Sequence, residues 1–381
     1  MTLSSLKIGN FRNYKECKVK FSDHTNFIIG ANAQGKTNLL EAIYLICLAR
    51  SFRGTSDDNL KNYASTGYEL YGNFISDTKL EDRINFIYSK ENGKQIAVSG
   101  KRLTRFSELV GRFPVISLSS TDNNITAGPP VERRRFFDIL LSQVSIVYFD
   151  LLREYQRILK QKNTILKKAL SIGKPIDYSI FDAWNQRLVT VGSNLIRHRL
   201  NYINNFSDTF ASYYNQIIDG STPCRIEYRP NVSFDNEGEI EGRFIDKIKE
   251  KSAREIKFGT SLVGPHRDEF IISVNSYPLR KFGSRGEHKT ALIALKGAEL
   301  QLIINKRGEK PILLLDDLFS ELDVERSATV SALFRDQCQT FISATSLDVR
   351  KLNANTDIFS SAKVFSVKNG TVRELKDEER F

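Results

Sequence analysis

Apolar and polar residues alternate over residues 3–8 and again over 17–21, and Phe27-Ile28-Ile29 is a short unbroken apolar run. A period of two puts successive side chains on opposite faces of a strand, whereas an unbroken run suits a strand covered on both faces. Residues 37–48 then carry helical spacing. Residues 83–88 and 94–98 alternate around Asn92-Gly93, the strongest short hairpin signal, and 114–118 is another short apolar strand. The chain therefore opens with strands, one helix after a glycine loop, and a β-rich section.

The middle of the chain changes character. From residue 131 to about 216 apolar residues recur three or four apart, as in Leu151, Leu152, Tyr155, Ile158 and Leu159. Gly173-Lys174-Pro175 interrupts this pattern and predicts an antiparallel pair of long helices. Sustained heptads are absent, and no piece is long enough for an extended coiled coil. Strand patterns return at 224–228 and 269–274. A helix is expected over 286–306, a buried strand over 312–315, a helix over 324–334 and a strand over 339–343. A closing hairpin is centred on Asn369-Gly370, and a charged tail spans 376–380.

Two segments carry chemistry. Gly30-Ala31-Asn32-Ala33-Gln34-Gly35-Lys36-Thr37 fits G-x-x-x-x-G-K-[ST], follows an apolar strand and opens a helix. Such a loop turns successive backbone N–H groups toward phosphate oxygens, and the helix end at Thr37 adds its positive dipole. Lys36 reaches the β- and γ-phosphates, the Thr37 hydroxyl is a natural Mg²⁺ ligand, and Asn38 follows directly. The second segment, Ile312-Leu313-Leu314-Leu315-Asp316-Asp317, is an apolar strand that ends in two carboxylates. Asp316 is expected to hold Mg²⁺ through water, and Asp317 to orient or deprotonate an attacking water. ATP and Mg²⁺ are the expected cofactors.

Composition changes the picture in one respect. With 56 Lys+Arg against 45 Asp+Glu, the 381-residue chain carries a formal charge of +11, which favours a polyanionic partner. The excess is uneven: residues 151–200 hold ten Lys/Arg and three acids, which reads as a nucleic-acid surface or as a solvated helical face. No stretch of about 18 apolar residues occurs, so no membrane span is expected. Residues 1–4 lead straight into a strand pattern rather than a signal peptide. Cys17, Cys47, Cys224 and Cys338 are scattered and form no CxxC pair, which suits a reduced, cytoplasmic setting. Trp184, in a helical pattern, suits a core position better than a base-stacking platform.

Phe282-Gly283-Ser284-Arg285-Gly286-Glu287, ahead of a long apolar-spaced helix, is similar to the signature loop of ABC-type ATPases. Ser284 and Gly286 would present a hydroxyl and a backbone N–H to the γ-phosphate held by a second molecule. Glu287 stands where Gln is usual. Ser320-Glu321-Leu322-Asp323 falls where such ATPases carry the D-loop.

Together with these motifs, Asn10-Phe11-Arg12-Asn13-Tyr14, Asn38-Leu39-Leu40-Glu41-Ala42-Ile43-Tyr44, Arg50-Ser51-Phe52-Arg53, Glu132-Arg133-Arg134-Arg135-Phe136-Phe137-Asp138 and Leu262-Val263-Gly264-Pro265-His266-Arg267-Asp268 occur in the order typical of one family. The chain resembles the RecF family of bacterial recombinational-repair ATPases, relatives of SMC proteins. The resemblance implies an α/β fold: an ABC-type P-loop head with a β-rich section, plus an inserted α-helical arm. Head segments are expected at 1–125 and 223–381, and the arm at 126–222. It further implies a homodimer formed on ATP, clamping of single-stranded, double-stranded or junction DNA, and work with RecR and RecO to load RecA. Arg12 becomes a candidate nucleotide contact, Arg133–Arg135 either DNA contacts or ties between arm and head, and His266 and Arg267 structural groups.

Three departures stand out. Ser119-Ser120-Thr121-Asp122-Asn123 replaces a Ser-Pro-Glu-Asp-Leu-like segment. Glu287 replaces Gln. Ala344-Thr345-Ser346 stands where many ABC ATPases place a switch histidine, which implies slow turnover. Competing readings are an ABC transporter nucleotide-binding subunit, an SMC-like tether and a nuclease. The last lacks a second acidic cluster, and the tether lacks a long coil.

Overall fold

A computed structural model describes residues 1–172, 176–317, 333–334, 337–345 and 362–376. The interruption at Gly173-Lys174-Pro175, the segment 320–323, all but the end of the helix expected over 324–334, Ser346 and the tail beyond Lys376 lie outside the described residues. The chain divides into two compact units, one of Met1–Asn123, Gln216–Asp219 and Leu292–Phe381, the other of Asn124–Asn215 and Gly220–Ala291.

The first 123 residues give β1 (Thr2–Phe11), β2 (Tyr14–Lys20), β3 (Thr25–Ile29), α1 (Lys36–Leu48), β4 (Gly67–Ile75), β5 (Glu81–Ser89), β6 (Gly93–Val98), β7 (Lys101–Arg102) and β8 (Val115–Ser119). The second unit contributes α2 (Asn123–Ala127), α3 (Pro130–Val144), α4 (Ile146–Ile172), α5 (Tyr178–Ile218), β9 (Cys224–Arg229), α6 (Ile240–Phe258), β10 (Glu269–Val274), β11 (Tyr277–Pro278) and α7 (Leu279–Phe282). The chain continues through α8 (Arg285–Arg307), β12 (Ile312–Asp316), β13 (Thr340–Ala344), β14 (Lys363–Lys368) and β15 (Thr371–Glu374).

In the first unit β2-β1-β4-β5-β6-β7 form an antiparallel sheet, and β15-β14-β3-β13-β12-β8 form a second sheet in which all neighbours but β15 run parallel. Helix α1 packs against β8, β12 and β13 of one sheet and β1 and β4 of the other. That double cover explains a helix with little polar face: Leu39 through Leu48 are buried without interruption. Strands β3, β12 and β13 are buried along nearly their whole length and therefore on both faces, as central parallel strands are.

The second unit packs α3 on β10, α4 on α3 and α6, and pairs β9 and β11 with β10. Its centre is polar. Arg199, 2% exposed, donates to Asp138 (2.8 Å), Asp268 (2.7 Å), the Pro265 carbonyl (2.9 Å) and the Tyr148 hydroxyl (3.1 Å). The other Asp268 oxygen accepts the Asn231 amide at 2.7 Å, so the buried charges are paired and saturated with donors.

The boundary expected at residue 223 is corrected by this arrangement. Residues 220–291 cluster with the helical segment because β9 and β10 pair with each other and α6 packs on α4, none of which the local pattern reveals. Helix α6 itself went unread in the sequence, although Ile240, Phe244 and Ile248 recur every fourth residue on its buried face.

Candidate nucleotide-binding site

The phosphate-loop segment links β3 to α1. Gly35 has φ +119 and Ala33 φ +64, so the chain curls through the left-handed region twice before the helix starts. A Cβ at Gly30 would meet the Val367 carbonyl oxygen at 2.5 Å, which fixes glycine where the loop leaves the sheet. The loop is braced from outside. Asn13 Nδ2 donates to the Gln34 carbonyl at 2.9 Å, the Tyr14 hydroxyl to the Gly35 carbonyl at 2.9 Å, and the Asn369 amide to Gln34 Oε1 at 2.8 Å. In a trans peptide the following N–H points opposite the carbonyl, so these outward bonds turn the Gly35 and Lys36 amides to the other side, where phosphate would lie.

Lys36 is 4% exposed; its ammonium donates to the Gly30 (3.0 Å) and Ala31 (3.2 Å) carbonyls and stands 4.0 Å from Asp317 Oδ1. Thr37 Oγ1 donates to Asp316 Oδ1 at 2.9 Å, closing a separation of 279 residues. The twin aspartates and the loop thus meet. Ala31, Asn32 and Ala33 form an exposed tip, and Asn38 Nδ2 donates to Asn13 Oδ1 at 2.8 Å. Hydroxyl and carboxylate oxygens are the hard donors that Mg²⁺ accepts, so Thr37 and Asp316 fit that ion.

A residue missed in the sequence completes the arrangement. Ser343, fully buried on β13 opposite Asp316, donates its hydroxyl to Asp316 Oδ1 at 2.7 Å and accepts the Asp317 amide at 2.9 Å. Asp317 has φ +50, a left-handed turn that this bond holds and that aims its carboxylate toward Lys36. Only the parallel register of β12 and β13 brings Ser343 there.

Arg12, the candidate nucleotide contact, stands beside α1. Its guanidinium grips fully buried Glu41 with two bonds of 2.9 and 3.0 Å and donates to Thr55 Oγ1 at 2.9 Å and the Asn59 carbonyl at 3.2 Å. It anchors α1 through Glu41.

The signature segment lies in the second unit. The Ser284 amide donates to the Glu287 carboxylate at 2.7 Å, and the Glu287 amide to Ser284 Oγ at 3.2 Å, a capping box at the start of α8. Glu287 therefore has a local task that Gln could also perform, and its carboxyl is held below the usual range by the Ser284 amide. Gly286 sits in the first turn of α8, and Ser284 is exposed.

The basic residues of two motifs are held within the second unit. Arg133 is 3% exposed and donates to Glu269 at 2.9 Å, and Arg134 donates to the Asp268 carbonyl at 2.6 Å. These two hold α3 on the β10 segment within one unit. His266 pairs with the Tyr155 hydroxyl (2.7 Å) and the Ser261 carbonyl (3.2 Å), and burial lowers its pKa to about 4. Arg267 also donates to the Ser261 carbonyl, at 2.9 Å, so both are structural. Trp184 is half-buried rather than core. Among the described residues no cluster of three metal-ligating side chains occurs, and no helix is long and apolar enough to cross a membrane.

Residues 2–371 match the family described as RecF/RecN/SMC N terminal domain. The DNA replication and repair proteins RecF of Staphylococcus carnosus (strain TM300) and Staphylococcus aureus (strain JH9) are each 34% identical to the chain, covering 98% of it and 100% of themselves. Among solved structures, the recombination mediator protein RecF with ATP, in the RecFOR pathway, superposes with TM-score 0.88 at 31% identity, covering 98% of this chain and 97% of its own. An Smc head bound to the C-winged helix domain of ScpA shares the fold, with TM-score 0.57 at 15% identity over 99% of this chain and 98% of its own. With the phosphate loop, carboxylate strand and fold concordant, the chain belongs to the RecF family.

Proposed function

We propose that this chain is an ATP-controlled DNA-binding protein of recombinational repair and replication-fork maintenance, whose grip on DNA tightens when two copies close around ATP. The observation that carries the reading is the 2.9 Å bond from Thr37 Oγ1 to Asp316 Oδ1, between a phosphate loop and a carboxylate strand. Gly30 to Gly35 would cradle the phosphates, with Asn38 at the edge of the loop. Lys36 would exchange its two carbonyl acceptors for phosphate oxygens. Thr37 and Asp316 would hold Mg²⁺, which supplies charge neutralisation on the β- and γ-phosphate oxygens. Asp317 would take a proton from the attacking water. Ser284 and Gly286 of a second copy would complete the site from the γ-phosphate side.

Turnover would be slow, below about one per second, because Ala344 ends β13 and Thr345 follows it without an imidazole to bridge γ-phosphate and water. Hydrolysis then acts as a timer for release rather than as a motor. The RecFOR pathway of the solved relatives supports RecR and RecO as partners in loading RecA, and work on DNA would place the protein in the cytoplasm. Family membership supports this reading over a transporter subunit.

The test is DNA binding with and without ATP over a salt series, for wild type and Lys36→Ala. The wild type should gain affinity with ATP. Lys36→Ala should lose only that increment and keep a basal, salt-sensitive affinity. An undiminished increment in Lys36→Ala, or none in the wild type, would overturn the proposal.

A further inference from the structure

Of the ten basic residues between positions 151 and 200, Lys174 lies outside the described residues, and the other nine are not equivalent once folded. Lys162 pairs with Glu255 at 2.7 Å and Arg199 with Asp138 and Asp268, all inside the second unit. Arg187 pairs with Glu154 and Arg197 with Glu241. Arg153, Arg157, Lys160, Lys167 and Lys168 differ: all five are exposed on α4, and among the described residues none has an ion-pair partner. At about 100° per residue these five fall within an arc of roughly 100° on one face of the helix, and at 1.5 Å per residue they span about 22 Å. Gln161, Thr164 and Ser171 fill the same face. Between residues 151 and 172 the sole acid is Glu154, which Arg187 already holds at 2.5 Å. Arg153 additionally lies 6.0 Å from the Phe149 ring, a contact that leaves its donors available.

We infer that this face of α4 is a docking stripe for the sugar-phosphate backbone of duplex DNA. Among the described residues α4 and α5 pair their other cations with carboxylates and leave these five without one, on a face whose acid, exposed Asp150, stands at its N-terminal end, one turn before Arg153. A straight row of about 22 Å matches some six base-pair steps of 3.4 Å along one strand, enough for several phosphate contacts. Single-stranded binders add aromatic platforms for stacking; Tyr155, the aromatic residue within the stripe's span, is buried beneath it. The stripe therefore contacts phosphate without reading bases, and its binding is independent of sequence. This rests on the DNA-binding reading above and names the surface that performs it.

The experiment compares three full-length proteins by fluorescence anisotropy with a duplex and a single-stranded oligonucleotide, from low to moderate salt: wild type; Arg153→Gln, Arg157→Gln, Lys160→Gln, Lys167→Gln and Lys168→Gln combined; and a control losing the same charge at exposed Lys79, Arg83, Lys90, Lys101 and Arg102 of the other unit. Removal of each cation that touches a phosphate should flatten the slope of log K against log salt by about 0.9. The stripe variant should lose a slope of about 2 or more on duplex and at least tenfold in affinity at low salt. ATP binding and the melting temperature should stay at wild-type values, and the control should bind within about threefold of wild type. An unchanged stripe variant, an equal loss in the control, or a loss confined to the single strand would each overturn the stripe while leaving the DNA reading intact. Wild type that binds neither oligonucleotide would remove both.

Discussion

Lys162 and Glu255 meet at 2.7 Å with neither side chain exposing any surface, and the Glu255 carboxylate also accepts Ser261 Oγ at 3.0 Å and the Leu262 amide at 2.8 Å. The pair fastens the segment that starts Leu262-Val263-Gly264 to α4 and α6. Removing one charge strands the other. Lys162→Met should destabilise the second unit by about 3–5 kcal/mol. Lys162→Met with Glu255→Gln should recover most of that, because the amide oxygen still accepts the Leu262 N–H. Urea unfolding followed by Trp184, the single tryptophan and a residue of this unit, makes the comparison.

His266 gives the same unit a pH dependence. Burial first, and then the positive Arg267, Lys162 and Arg134, push its pKa down from 6.5 to about 4. The unfolded chain takes up a proton near 6.5, while the folded one does so only near 4. Stability from this group is complete above about pH 6.5, declines as pH falls toward about 4, and is flat below. The loss is on the order of 3 kcal/mol. His266→Gln should lower stability at pH 7 yet flatten the slope between pH 6.5 and 4.5 in the same fluorescence assay. An unchanged slope would show that another group sets it.

Ser343 should act on catalysis through its two neighbours. In Ser343→Ala the Asp316 carboxylate loses a donor and the Asp317 amide its acceptor, so the left-handed turn at Asp317 relaxes. The expected result is a fall of about 10- to 100-fold in kcat with little change in KM for ATP. Ser343→Thr, which keeps the hydroxyl, should restore most of it. Exchange of the Asp317 amide in the nucleotide-free protein should quicken in Ser343→Ala alone. Equal KM and kcat effects would point to general loosening instead.

Glu287 should prove interchangeable with Gln but not with Ala. Glu287→Gln keeps the reach to the Ser284 amide and should leave thermal stability within a few tenths of a kcal/mol, whereas Glu287→Ala should cost about 1 kcal/mol. The carboxyl is held below its ordinary range, so its share of stability is present above about pH 4.5 and fades as the medium becomes more acid. The Gln protein should lack that acid sensitivity in circular-dichroism melts.

Much of the candidate site was legible because its parts are local: a glycine loop between strand and helix, and a strand that ends in carboxylates. What escaped depends on pairing between distant strands. Ser343 is an ordinary serine until β13 lies beside β12, and residues 220–291 show strand and helix periods without revealing which unit they join. The pairing of Arg12 with Glu41 was equally hidden, because a position near the loop in sequence says nothing of which carboxylate takes the guanidinium. The basic excess of the arm was visible, but which cations are spent on buried carboxylates depends on helix packing.

The place of β3 between β14 and β13 has a consequence for synthesis. A ribosome that has released the chain only to residue 330 has already made Gly30 to Thr37, but neither neighbour of the strand that launches them, nor the Asn369 amide that braces Gln34. The strand that launches the glycine loop therefore waits for both of its neighbours until the last strands emerge, so the loop takes its final place in the sheet only when the chain is nearly complete.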